Sequence, residues 1–201
     1  MDEKLRPDDF RRRMITMKRI AYSGIEGAFA HMVARNMFPD EMHVPFGSFA
    51  EAYYAVASGD CDYAVLPVEN SYAGPVREVK ELLAEGGLEV VREQSFPITQ
   101  NLLGVRGSRI SDIRKVISQH KALEQCDTYI RDRGYEVIEA ENTAVAARQV
   151  ARMQNMAVAA IASVETAAFY GLKVLDEQIN ERDDNATKFA VVAAKRTQED
   201  Q

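Results

Sequence analysis

The sequence predicts an α/β fold in two lobes of similar size, on three observations. From residue 18 onward, short apolar segments alternate with helical ones closed by glycine, the pattern of a mainly parallel sheet. The segment Tyr63, Ala64, Val65, Leu66, Pro67 has no polar face, as a strand covered on both sides requires. A division near 94–97 gives two parts of similar size.

The elements follow in order. Residues 19–23 read as a strand, Gly24 and Gly27 as a turn, and 28–37 as a helix that ends near Pro39. A helix over 49–58 closes at Gly59, the strand 63–67 follows, and a helix over 76–84 closes at Gly86-Gly87. Strands are expected over 88–92, 98–105 and 115–118, then a helix over 123–133 closed by Gly134. A strand over 135–140 precedes a helix capped by Asn142 or Thr143 and running to about Arg152. A strand over 157–162, a helix over 164–170 closed by Gly171 and a last strand over 188–193 complete the chain. The domain reading is a tail at 1–17, one lobe at 18–95 joined by the returning strand at 186–196, and a second lobe at 96–185.

Composition narrows the function. Among 201 residues, 25 Lys and Arg stand against 31 Asp and Glu, a formal net charge of −6, which argues against a general nucleic-acid surface. The run Arg11-Arg12-Arg13 reads as a solvated face. Cys61 and Cys126 cannot build a disulfide framework, and His31, His43 and His120 follow no metal-ligand spacing. No apolar stretch is long enough to span a bilayer, and the N-terminus lacks a secretory apolar run. The expectation is a soluble, reduced, cytoplasmic α/β domain, with neither nucleic acid nor membrane as partner.

Four segments carry candidate chemistry. Ser23-Gly24-Ile25-Glu26-Gly27-Ala28-Phe29 is a strand end, a glycine turn and a helix start, where free N–H groups attract anions. Glu69-Asn70-Ser71 follows directly on the buried strand, and ligands of α/β sheets sit beyond the carboxyl ends of strands. Ser118-Gln119-His120-Lys121 is a second strand end, and Cys126 beyond it reads as a core thiol. Asn185-Ala186-Thr187-Lys188-Phe189 enters the last strand. There a hydroxyl beside a cation can protonate a leaving group while substrate charge is offset.

Taken together, in this order and spacing, these segments resemble the catalytic domain of prephenate dehydratase. The matching pieces are Gly24-x-x-Gly27-Ala28-Phe29, Leu66-Pro67-Val68-Glu69-Asn70-Ser71-x-x-Gly74-x-Val76, Ala122-Leu123-x-Gln125-Cys126 and Asn185-x-Thr187-Lys188-Phe189. The run Ala162-Ser163-x-x-x-Ala167-Ala168-x-Tyr170-Gly171-Leu172 is also similar. The resemblance covers about residues 18–195.

It implies two α/β lobes around a cleft, similar to a type II periplasmic-binding-protein core, and conversion of prephenate to phenylpyruvate with loss of water and carbon dioxide. It implies no metal or organic cofactor, and a homodimer. It makes Thr187 the general acid and places Glu69, Asn70 and Ser71 on the cleft, with Ser23 and the backbone after Gly27 holding substrate. Lys121, Lys188 and helix N-terminal N–H groups are candidate carboxylate donors, with Ala28, Phe29, Asn185 and Phe189 on the matching motifs. This chain departs from the family at Gln100, at Gln119-His120-Lys121, and at Lys188, where arginine is usual and the bidentate fork is lost. The family's ACT domain is not expected here, nor feedback by phenylalanine through this chain. Arogenate is a variant substrate. A non-aromatising decarboxylase and a non-catalytic carboxylate-binding module are the alternatives.

Overall fold

We describe the chain from a computed structural model, over residues 17–195. The expected tail falls outside the described residues except for Met17, as does residue 196. The first sheet runs in the order β2-β1-β3-β11-β5, with a short β4 on β3. Its strands are β1 (Arg19–Ser23), β2 (Met42–Phe46), β3 (Tyr63–Asn70), β4 (Gly74–Pro75), β5 (Leu88–Pro97) and β11 (Ala186–Ala194). Between them lie α1 (Phe29–Met37), α2 (Phe49–Ala57) and α3 (Arg77–Ala84). The second sheet runs β10-β6-β9-β7-β8. It contains β6 (Asn101–Gly104), β7 (Lys115–Ser118), β8 (Glu136–Glu139), β9 (Val158–Ala162) and β10 (Lys173–Asp176). Its helices are α4 (His120–Glu124), α5 (Asp127–Arg133), α6 (Thr143–Met153) and α7 (Val164–Tyr170).

The central strands of both sheets are covered on two faces, and their side chains alternate between them. In β1, Ile20 and Tyr22 pack with Val33 and Ala34 of α1, whereas Ala21 packs with Ala52 and Val56 of α2. In the second sheet, Val116 faces Leu123 and Ile130, and Ile117 faces Ala146 and Val150. The chain leaves the first sheet after β5 and returns as β11, which lies antiparallel to both β3 and β5.

That return corrects the expectation of mainly parallel sheets. β1 pairs parallel with β2 and β3, and β7 with β8 and β9, but β11, β4, β6 and β10 all pair antiparallel. A strand arriving from the other sheet can enter reversed, with no crossover helix. Three elements also differ from the sequence reading. β2 was not expected, since Pro45 disfavours a strand; it is tolerated because β2 pairs only with β1, at an edge. β10, also unexpected, is an edge strand, paired only with β6. The expected helix over 123–133 breaks at Cys126, whose N–H bonds the Leu123 carbonyl three residues back. Among the described residues no helix is long and apolar enough to cross a membrane.

Candidate active site

A cavity of about 620 Å³ lies between the two sheets. It opens beyond the carboxyl ends of β1, β2, β3 and β7, so the loops leaving those strands and the helix starts that follow form its walls. From the first sheet come Ser23, Ala28, Phe29, Ser48, Pro67 and Asn70. From the second come Gln100, Gln119, Lys121 and Asn142, and from the returning strand Thr187 and Phe189.

Helix capping divides the walls. Ser48 caps α2 by accepting from Glu51 N–H, and Asn142 caps α6 by accepting from Val145 N–H. α1 begins at Ala28 and α3 at Val76, with no side-chain cap on either. Ala28, Phe29 and Ala30 at the start of α1, and Val76 and Glu78 at the start of α3, line the cavity, and uncapped helix starts suit carboxylates.

The polar centre is Asn70 with Thr187. Asn70 Oδ1 accepts the backbone N–H groups of Tyr72 and Ala73, each at 3.0 Å. This fixes the amide's orientation, so Nδ2 faces β11. It donates to Asn185 Oδ1 at 2.9 Å, Thr187 Oγ1 at 3.0 Å and the Ala186 carbonyl at 3.2 Å. Because Thr187 Oγ1 accepts from Asn70, its own hydrogen remains free to be donated into the cavity. Ser71 Oγ accepts from Ala186 N–H at 3.0 Å, and Tyr72 hydrogen-bonds Asp184. The hairpin after β3 is thereby tied to the segment entering β11.

The structure brings Ser23, Ala28, Phe29, Asn70, Lys121, Thr187 and Phe189 to one cavity. Five other expected residues lie elsewhere. Glu69 and Lys188 pair with each other, Nζ to Oε2 at 3.8 Å, with side chains 55% and 41% exposed. Strand alternation puts Lys188 on the face opposite Thr187 and Phe189. Asn185 is buried behind Asn70, Ser71 is exposed on the hairpin, and Gly27 is buried. Lys121 holds Glu124 at 2.7 Å. Lys188→Ala, which the motif expected to weaken binding and turnover, is now expected to leave kcat/KM within about threefold, since an exposed pair of this kind is worth about 1 kcal/mol at most. A tenfold loss would return Lys188 to the site.

Titratable groups near the cavity sort clearly. Burial pushes the Cys126 thiol up to about 12, so it is no nucleophile. His120 is exposed and raised by its hydrogen bond to Glu139 and by the Glu124 charge. His31 is buried, and burial, His43 and Arg35 lower it to about 4. Its Nδ1 accepts the Gly27 N–H at 3.0 Å, the role of a neutral ring. Residue reading passed over Ser48 and Tyr72, and took Asn142 as a helix cap without placing it on the cavity. The unrecognised β2 hid the strand-to-helix junction at Ser48, and Tyr72 carries no local signal beyond its place in the Asn70 motif.

Comparisons with known proteins give the family and the fold. The family model described as prephenate dehydratase matches residues 20–197. A curated relative, arogenate dehydratase/prephenate dehydratase 1, chloroplastic, of Arabidopsis thaliana, is 39% identical over 87% of this chain and 45% of its own length. The chain thus spans a little under half the length of that relative. A prephenate dehydratase of Arthrobacter aurescens, solved with L-Phe, aligns with TM-score 0.82 at 26% identity, over 89% of this chain and 61% of its own. A solved structure described as GqqA, a novel type of quorum-quenching acylase, aligns with the same TM-score at 30% identity, over 90% of this chain and 65% of that one.

Proposed function

Because the chain belongs to the prephenate dehydratase family, we propose that it converts prephenate to phenylpyruvate, water and carbon dioxide, with Thr187 as general acid. The observation that carries this reading is the Asn70–Thr187 hydrogen bond. It turns the threonine lone pair toward the protein and leaves the O–H to protonate a leaving hydroxyl. The ring carboxylate leaves as carbon dioxide, its electron pair enters the ring, and the protonated hydroxyl departs as water. The ring becomes aromatic, so the driving force lies within the substrate. The protein has only to orient the dianion and assist the hydroxyl. Thr187 then recovers its proton from solvent.

The uncapped starts of α1 and α3 are the groups we assign to the carboxylates, with Lys121 at the rim and Phe29, Phe189 and Pro67 against the ring. The reading calls for no metal or organic cofactor. Residues 18–95 with 186–196 form one lobe in it and 96–185 the other. The same reading makes the protein a cytoplasmic homodimer. Arogenate, which the Arabidopsis relative's name includes, is the variant substrate, differing by an amino group in place of the keto oxygen.

Mixing the purified protein with prephenate at neutral pH and identifying products by NMR tests this directly. Phenylpyruvate is the expected product. A product that has lost carbon dioxide but kept the ring hydroxyl would replace the dehydratase with a decarboxylase, and unchanged prephenate would remove catalysis on this substrate.

A further inference from the structure

The glycine turn between β1 and α1 is held by the other lobe. The Gly27 carbonyl accepts the Thr166 hydroxyl at 2.7 Å, and the Glu26 carbonyl accepts the Tyr170 hydroxyl at 2.5 Å. Both donors stand on α7, packed on the second sheet. Thr166 is fully buried, and its Oγ1 lies 2.9 Å from the Ser163 hydroxyl, itself buried and in contact with Met32 of α1. Gly27 has φ +83°, and a Cβ there would lie 3.3 Å from the Tyr170 ring and 3.4 Å from Thr166 Cγ2. The requirement for glycine therefore comes from lobe–lobe packing as well as from the turn.

Both backbone groups of Gly27 are already used, the N–H by His31 and the carbonyl by Thr166. Gly27 thus has nothing to offer a substrate, although the next two residues, Ala28 and Phe29, line the cavity. We propose that Thr166 and Tyr170 are positioning residues, a latch by which the second lobe sets the α1 N-terminus for the substrate carboxylate. This rests on the proposed site. The latch acts on α1, whereas Thr187 and Asn70 are held by β11 and β3. Its loss should therefore fall on substrate binding and spare the chemical step.

The test is steady-state kinetics with prephenate, following phenylpyruvate, for Thr166→Val, Tyr170→Phe, Thr166→Ser and the Val/Phe double variant. Each of the first two is expected to raise KM about five- to tenfold, the effect of one lost hydrogen bond, with kcat within about twofold. Thr166→Ser restores the wild-type KM because it keeps the hydroxyl. The double variant costs less than the product of the singles, since both act through one turn. Tyr170 is only partly buried, so Tyr170→Phe keeps the test alive if Thr166→Val fails to fold. Unchanged KM in a folded variant with lowered Tm would reduce the latch to a structural brace, and a fall in kcat at constant KM would also overturn the proposal. No turnover by the wild type would remove the reaction itself, a result separable from either.

Discussion

Thr187→Ala lowers kcat by about 10²-fold or more, the lower end of what general-acid assistance supplies, while KM stays within a few fold. The physical reason is local. Asn70 Nδ2 sits 3.0 Å from Thr187 Oγ1 and is oriented by two backbone donors on its Oδ1, so the hydroxyl accepts from Asn70 and keeps its own hydrogen for another acceptor. In the proposed reaction, removing the hydroxyl deletes an interaction made chiefly as the C–O bond breaks, which lowers kcat and kcat/KM together. Thr187→Ser, which keeps the donor with a freer rotor, retains most of the activity. Steady-state rates with prephenate check both variants. A Thr187→Ala enzyme with wild-type kcat would mean that another group protonates the leaving hydroxyl. The neighbouring Asn70→Asp change is informative for the same reason: a carboxylate would accept from Thr187 and draw its hydrogen out of the cavity.

The second large effect concerns stability. His31 is 4% exposed, and its ring is lowered from the ordinary 6.5 to about 4 by burial, with His43 and Arg35 adding to the shift. The folded state therefore favours the neutral ring, which Gly27 N–H also requires. The sign follows: this contribution is complete above pH 6.5, falls as pH drops toward 4, and is exhausted below that. Its size is about 3 kcal/mol across the window. Chemical denaturation between pH 7 and 4 should show that loss in the wild type and a flatter profile in His31→Gln, which offers an acceptor to Gly27 but does not titrate. Parallel profiles for the two proteins would assign the acid sensitivity elsewhere.

How much was legible in the residues differs by element. The strand Tyr63–Pro67 was readable because a fully apolar run fits a strand covered on both faces. In the structure it extends to Asn70, since the polar tail pairs with β4 and β11. The helices capped by Ser48, Asn142 and Ser163 lay close to their expected spans, and Gly134 and Gly171 close theirs in left-handed backbone as expected, because capping is local chemistry; the start of the helix before Gly134, broken at Cys126, carried no such signal. β2 and β10 were missed because each is a short edge strand, β2 interrupted by Pro45 and β10 of four residues with no long apolar run, held in place by one neighbour.

The site divides along the same line. Asn70 and Thr187 stand 117 positions apart, and motif spacing alone could nominate both without showing that one orients the other. Glu69 and Lys188 belong to the same motifs, yet strand alternation sends them to the opposite face, where they meet each other.

By itself, the sequence determined the alternation of strands and helices, the helix ends and the family-like motifs, since these depend on apolar period, turn residues and caps within a few positions of one another. Only the tertiary structure decided the direction of β11, which motif residues reach the cavity, and why Gly27 is glycine. Those outcomes depend on pairing and packing between segments more than a hundred residues apart, and no local pattern encodes which of two faces a side chain will meet.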